Sequence, residues 1–262
     1  MKKILYVLLF ISFAFGDTYY AKLEPIESVV VKSEVNGKVI VAKESLEGKV
    51  ANGLVVKIDD KLDVEDLKTS KEALALTKKM IALNSSILKS LKQNMDKKFD
   101  LYKKVSSLTS TSVNTKSNIF SAYVSAKSQY NGTKEKVLNL KNQAINLEQK
   151  IFTLQDRIAK KSIKVENKYL YSLNIKKGEF VNIGFPLMTI QNISKAKLTI
   201  YLSSDDIKDI DKKSIYIDGK KTNLKFSKIW KVADKQYISS YRAEIITKPF
   251  KEFSQLTKVD IK

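Results

Sequence analysis

The stretch LKTSKEALALTKKMIALNSSILKSLKQNMDKKFDLY, Leu67 to Tyr102, decides the fold. It contains no glycine or proline, and Leu67, Leu74, Ile81, Leu88, Met95 and Tyr102 recur at every seventh position. Glycine and proline cost a helix interior most, so their absence permits one long helix. A sustained seven-residue repeat places its apolar positions in one stripe of a slightly supercoiled helix, which buries that stripe against a second helix. The second helix is legible downstream. Tyr123, Tyr130, Val137, Ala144, Ile151 and Ile158 form one row, and Ala126, Thr133, Leu140, Leu147 and Leu154 form its companion. The first helix is strong in one row only. Its companion positions carry Ser70, Thr77, Asn84 and Lys98, with Leu91 and Val105 filling the row in part. This half-polar seam predicts either a weakened pair or one that leaves room for a neighbouring hairpin.

The ends of the two helices are marked as well. Asp63, Glu65 and Asp66 suit a helix start, where the dipole is positive. The first helix is expected to run to about residue 107. The run Ser106-Ser107-Leu108-Thr109-Ser110-Thr111-Ser112-Val113-Asn114-Thr115 breaks the pattern, because hydroxyl side chains compete for backbone hydrogen bonds and cap helices. Ser112 or Asn114 is the expected N-cap of the second helix, which ends near Lys160-Lys161, and Gly132 marks a local bend inside it. The result is an antiparallel hairpin over residues 63–161. Its seam brings Leu74, Ile81 and Leu88 against Val137, Leu140, Leu147 and Ile151.

Strand-like sequence lies on both sides. Val29 to Val31, Val39 to Val41 and Leu54 to Ile58 are rich in β-branched residues and punctuated by Gly37, Gly48 and Gly53. After the hairpin come Ser162 to Val165 and Tyr169 to Ile175. Next is Gly178-Glu179-Phe180-Val181-Asn182-Ile183-Gly184, and then Pro186 to Ile190. The last two approximately repeat the pattern of Gly48 to Ile58, so two half-motifs of one β domain are separated by the hairpin. Residues 195–262 read as about six short strands: Lys197 to Leu202, Ser214 to Ile217, Thr222 to Phe226, Ile229 to Val232, Tyr241 to Ile246 and Lys258 to Ile261. Asp205 to Ile210 reads as one helical turn, and Asp218-Gly219 as a tight hairpin turn. These strands suit a small β-barrel.

The N-terminus reads as an export signal. Lys2 and Lys3 precede an apolar run from Ile4 to Phe15, interrupted only by Ser12, and Ala14 and Gly16 are the small residues before a cleavage site at Asp17. Twelve helical residues rise about 18 Å, too little for a ~30 Å hydrocarbon core, so cleavage is favoured over an anchor. The periplasm of a Gram-negative cell is the expected location. With no cysteine, the mature chain needs no oxidative folding and has no N-terminal thiol to carry a lipid. The net charge of +20 becomes +18 without the two signal lysines. Nucleic acid is not expected as a partner. Only Arg157 and Arg242 among the 48 basic residues are arginine, and export removes DNA from reach.

Chemistry-bearing residues are sparse. Histidine and cysteine are absent, which removes the commonest metal and nucleophile constellations, so no metal and no cofactor is expected. Met80 and Met95 sit at helical apolar positions and read as core filler, apart from Met188. Asp59-Asp60 and Asp205-Asp206 are carboxylate pairs, but both fall at element edges and read as turn or cap residues. Tyr19, Tyr20, Tyr169, Tyr171, Trp230 and Tyr237 read as β-core or rim residues. The chain is read as a non-enzyme.

The order of these parts resembles the periplasmic adaptor, or membrane-fusion-protein, family of HlyD-like secretion and efflux proteins. Ser33-Glu34-Val35-Asn36-Gly37-Lys38-Val39 looks like that family's first strand and turn. Gly48 to Asp59 looks like its glycine-punctuated tract ending in Ile-Asp, and Gly178 to Ile190 followed by Leu198 to Ile210 looks like the second half and barrel entry. The resemblance covers roughly residues 25–262. It implies an α+β fold, a lipoyl-like barrel-sandwich hybrid split by a long antiparallel α-helical coiled-coil hairpin and followed by a small β-barrel. The parts are then a signal peptide at 1–16, a lead-in and first lipoyl half at 17–62, the hairpin at 63–161, the second lipoyl half at 162–193 and the barrel at 194–262. The family's lipoyl-like fold usually carries no lipoyl group, and no lysine here sits at a hairpin joining the two halves.

The resemblance also implies partners: an inner-membrane transporter of the resistance–nodulation (RND) or ABC type, a TolC-like outer-membrane channel, and copies of the chain itself in a ring of six. Family hairpin tips often show Arg, then Leu four residues on, then Ser seven further. Counting back from Ser112 gives Val105 and Leu101, so the serine is kept, the leucine becomes valine and the arginine is absent, with Lys103 and Lys104 adjacent. The implied channel-docking tip is Leu101, Lys104, Val105, Leu108 and Ser112. Many members continue into a further membrane-proximal domain, whereas this sequence stops after the presumed barrel, which implies a reduced or reorganised pump contact. The competing reading is a periplasmic coiled-coil scaffold or adhesion protein without a pump.

Overall fold

The structure, a computed structural model, describes residues 17–234, 237 and 239–262. The export signal read at residues 1–16 lies outside the described residues. The fold mixes helix and sheet and contains two long helices. In chain order it has strands β1 (Asp17–Lys32), β2 (Gly37–Ala42) and β3 (Val50–Ile58), helices α1 (Lys61–Ser106) and α2 (Val113–Lys160), and strands β4 (Ser162–Leu173), β5 (Phe180–Val181) and β6 (Pro186–Leu202). A short helix α3 (Ser204–Ile207) follows. The chain ends with strands β7 (Ile215–Ile217), β8 (Lys220–Lys221), β9 (Phe226–Ile229), β10 (Tyr241–Thr247) and β11 (Leu256–Ile261). Chain contacts divide it into two compact units. The first takes the residues through Ser33 together with Val41–Val56 and Lys164–Lys262; the second takes Glu34–Ile40 and Lys57–Ile163.

The β unit is organised by two strands longer than the sequence pattern predicts. Residues 17–24 form the first half of β1, a 16-residue strand. Asp17 to Lys22 pair antiparallel with β11, and Leu23 to Lys32 pair with β6. Pro25 sits where the register shifts between Pro25 and Glu27, a bulge that tolerates a missing N–H. Strand β6 likewise runs 17 residues and passes the expected boundary at 193/194 unbroken. Its second half also pairs with β10. Ala196, Leu198, Ile200 and Leu202 alternate inward, as the two-residue period of a strand requires. They pack with Ala21, Leu23, Ile215, Ile217, Ala243, Ile245, Val259 and Ile261 into one apolar core. The neighbour order is β5-β2-β3-β4-β6-β1-β11-β7-β8, with β10 joining β6 to β9. Strands from before and after the two helices are therefore neighbours. Leu170 on β4 exchanges backbone hydrogen bonds with Gly48 and Lys49, both 2.9 Å, just ahead of β3.

Smaller departures have local causes. Ser162–Val165 and Tyr169–Leu173 belong to one strand, β4, carried past the left-handed Asn167. The strand expected at 222–226 starts only at Phe226, because Thr222 turns back to Ile215 through both its N–H and its hydroxyl. The Asp218-Gly219 turn forms between β7 and β8, with φ of 48° and 79°, the left-handed pair that a two-residue hairpin needs.

In the helical unit, α1 and α2 span about 69 and 72 Å at 1.5 Å per residue. Ser112 is the N-cap of α2, its Oγ accepting the Thr115 N–H at 3.2 Å. Gly132 lies inside an unbroken α2. The seam is inverted relative to the apolarity pattern. The residues of α1 that are buried are Asp63, Ser70, Thr77 and Asn84, the polar row. The apolar row, Leu67, Leu74, Ile81, Leu88, Met95 and Tyr102, is half-buried. Size decides this: the short polar side chains let the helices approach, and the leucines close over the line of contact from one side. Burial is tolerable because the polar groups bond to their own helix. Thr77 Oγ1 donates to the Ala73 carbonyl at 2.9 Å, and Asn84 Nδ2 to the Met80 carbonyl at 2.7 Å. On α2 the buried residues are Ala126, Val137, Leu140, Ala144 and Leu154.

Candidate functional site

The helical hairpin offers three places where chemistry could act: its base, its edges and its turn end. At the base, Asp63 faces two cations of α2 and its end, with Arg157 at 2.7 Å from one oxygen and Lys161 at 2.6 Å from the other. Lys161 also donates to the Asp59 carbonyl at 2.7 Å and accepts the Ile58 N–H at 2.8 Å. Lys57 bonds to Asp60 and, at 2.9 Å, to Ser162 Oγ. Gly37 packs here as well; a Cβ on it would come 2.6 Å from Ile58 Cγ2, so only glycine fits. This clasp fixes the register of the two helices where they begin and end. Asp59 and Asp60 belong to it, as turn and cap residues.

Toward the turn, four rings tie the helices together. Phe99 and Tyr123 lie 5.0 Å apart, Tyr102 and Phe120 5.2 Å, and Tyr102 stacks nearly parallel on Tyr123 at 6.3 Å. Such pairs add about 0.5–1.5 kcal/mol each beyond their buried area. Lys103 lies over Phe99 at 5.1 Å and Lys127 over Tyr123 at 6.0 Å. The sequence shows this collar only as aromatics three apart on each helix, 99/102 and 120/123. Beyond it, Leu101, Lys104, Leu108 and Ser112 are exposed, while Val105 is half-buried in the line of the polar row. Leu101 and Leu108 are each about half exposed, at 50% and 51%, and Val113 is 82% exposed. Lys116 reaches across the turn to the Ser106 carbonyl at 3.3 Å. Of the expected seam residues, Val137 and Leu140 are buried, and Leu74, Ile81, Leu88, Leu147 and Ile151 are half-buried.

The edges carry what the sequence reading passed over. Leu76, Met80, Leu83 and Ile87 form an exposed stripe on α1 with spacings of four, three and four. Met80 therefore lies at the surface and not in a core; Met95 is half-buried and Met188 buried. On α2, Leu138, Ile145 and Phe152 form an exposed row at seven-residue spacing. The Lys78–Glu148 ion pair, 2.8 Å, marks one edge of the hairpin. At about 100° per residue, the α1 stripe lies about 140–200° around from Lys78, whereas the α2 row lies about 40–80° from Glu148. The two apolar rows thus occupy opposite edges. The cross-pairs Phe99–Tyr123 and Lys78–Glu148 set the register, which places Leu83 and Leu138 within about 8 Å of the same height.

In the β unit the Asp205-Asp206 pair divides. Asp205 makes a surface pair with Lys208 at 3.0 Å. Asp206 is buried and accepts from Tyr19, from Lys213 at 2.5 Å and from Ser203, whose own Oγ caps α3. Burial pushes its carboxyl up, but hydrogen bonds from Asp17, Lys213 and Tyr19 outweigh that and hold it at about 2. Asp17 is raised through its hydrogen bond to Asp206 and the repulsion of that charge. This is a latch at the start of β1. Of the expected β aromatics, Tyr20 and Tyr171 stand exposed, whereas Trp230 is flanked by Lys228 at 4.3 Å and Arg242 at 4.6 Å.

The likeness to solved structures is extensive. MacA from Actinobacillus actinomycetemcomitans matches with a TM-score of 0.70 at 20% identity, over 94% of this chain and 78% of that one. The membrane fusion protein Spr0693 from Streptococcus pneumoniae R6 matches with a TM-score of 0.54 at 12% identity, over 94% and 98%. This chain has the fold of a membrane fusion protein. A MacA–MexA chimera carrying the Pseudomonas aeruginosa MexA α-hairpin domain shares the membrane-fusion fold, with a TM-score of 0.58 at 16% identity over 94% and 80%. No protein-family model matches the chain, and no curated protein matches its sequence. Among the described residues no helix is long and apolar enough to cross a membrane.

Proposed function

We propose that the chain is a periplasmic adaptor of the HlyD-like membrane-fusion family, joining an inner-membrane transporter to a TolC-like outer-membrane channel for export. The observation that carries this reading is the hairpin with two apolar rows uncovered at one height on opposite edges and an open turn end. A surface used on one edge and complemented on the other makes a heterologous contact, and repeated heterologous contacts form a ring where the rotation between copies closes. Six copies is the number the family resemblance implies. In this reading residues 17–62 and 162–193 are the two lipoyl-like halves and 194–262 the barrel, while residues 1–16 direct export. Function comes from reach and self-association; no residue acts as acid, base or nucleophile. The docking tip is Leu101, Lys104, Val105, Leu108 and Ser112.

Deleting residues 100–120 is expected to abolish export of the cargo while Trp230 fluorescence still reports a folded β unit. Normal export by that variant refutes the spacer role. A photo-crosslinker at Leu108 is expected to capture an outer-membrane channel; a scaffold without a pump would give no such adduct.

A further inference from the structure

From Leu101 to Lys134 the chain carries five lysines, Lys103, Lys104, Lys116, Lys127 and Lys134, and no aspartate or glutamate. The rest of the hairpin is mixed. Residues 61–100 hold nine lysines and six acids, and residues 135–160 hold five basic residues and three acids. A general lysine bias explains the bases throughout but not the disappearance of acids at one end. Local structure accounts for part of the charge. Lys103 and Lys104 lie in the last turn of α1, where a cation suits the negative end of the dipole. The same physics favours an acid in the first turn of α2, and there is none. Among the described residues Lys103, Lys104 and Lys116 form no ion pair: Lys103 rests on a ring, Lys116 on a carbonyl, and Lys104 is exposed. Between them stand the exposed Leu108 and Val113 and a series of hydroxyls.

Resting on the docking reading above, we infer that the surface met by the hairpin tip is a protein face lined with aspartate and glutamate carboxylates. Lysine is a compact point charge without the fork that holds a carboxylate bidentately. Such charges speed encounter more than they hold the complex, and their effect fades as salt shortens the Debye length from about 10 Å at 0.1 M to about 3 Å at 1 M. The small apolar centre, Leu108 and Val113, then supplies a salt-insensitive contact. A lipid surface fits less well, because the rings of the collar pair with one another across the hairpin and the turn beyond them is lined with hydroxyls.

The test uses the full-length protein in isolated cell envelopes. A carbodiimide, which condenses an amine and a touching carboxylate into an amide, is expected to link Lys103, Lys104 or Lys116 to an Asp or Glu of the same outer-membrane protein that a Leu108 photo-crosslinker captures. The triple variant K103E/K104E/K116E is expected to lose about tenfold of the Leu108 adduct, and raising salt is expected to lower the wild-type adduct. If the wild-type adduct is unchanged by salt and by the triple reversal, the acidic face is wrong while docking stands. If wild type gives no Leu108 adduct, or an adduct with lipid alone, docking itself fails and this inference with it.

Discussion

The β unit and the hairpin bury different things. At the centre of the β unit lie Leu23, Leu198, Leu202 and Ile245, fully removed from solvent, in a core that closes without outside help. Along α1 the buried row is Asp63, Ser70, Thr77 and Asn84, while Leu76, Leu83 and their neighbours face outward. An apolar side chain left in water contributes nothing of the ~25 cal/mol per Å² that its burial would supply. The first region is therefore built for its own stability, and the second keeps part of its apolar surface for other chains.

Trp230, the only tryptophan, reports the β unit, and far-UV circular dichroism is dominated by the two helices, so the two regions can be followed separately. The largest effect is expected from Leu198→Ala, which should cost about 2–5 kcal/mol in the Trp230 unfolding transition, whereas Leu74→Ala in the half-buried seam should cost the helical signal less than about 2 kcal/mol. Equal losses would erase the contrast. Asp63→Ala leaves Arg157 and Lys161 facing each other. Arg157 is well exposed, so the cost should fall below the range for a fully buried pair, at about 2 kcal/mol of helical stability.

Acid should act on the β unit through Asp206. Its folded pKa, about 2, lies below the unfolded carboxylate value, so the unfolded chain binds more protons between the two, and stability present above pH ~4 is lost as pH falls toward 2. The raised Asp17 works in the opposite sense and offsets part of this. Asp206→Asn should cost about 1–3 kcal/mol at pH 7 and flatten the acid slope of the Trp230 transition; a slope unchanged by the substitution would remove the latch. The smallest effect is expected from Thr77→Val, which removes a hydroxyl bonded only to its own helix. It should leave the thermal midpoint of the helical signal unchanged or raise stability by up to about 1 kcal/mol. A clear loss would mean that the polar row stabilises the hairpin after all.

Much of this was legible in the sequence. The seven-residue period located both helices, and the hydroxyl run located the turn, with Ser112 one of its two candidate caps. Which row lies deepest was not legible, because periodicity ranks positions by apolarity while close approach of two helices is ranked by size. Strands β1 and β6 run beyond the apolar runs at Val29–Val31, Pro186–Ile190 and Lys197–Leu202 because pairing with each other, and of β1 with β11 and β6 with β10, carries them through. The outward stripe at Leu76, Met80, Leu83 and Ile87 was present as a second apolar row, hidden by the stronger one beside it. In the sequence Arg157 stands out only as one of two arginines, and its partner Asp63 reads as a helix-start residue, which it also is.

The chain has no cysteine, so a pair can be introduced cleanly. Leu83→Cys and Leu138→Cys place thiols on opposite edges within about 8 Å of one height. If neighbouring hairpins pack edge to edge, mild oxidation of the double variant should give a ladder of disulfide-linked multimers, and neither single variant should crosslink. Efficient dimers from either single variant, or no multimers from the double, would contradict the account.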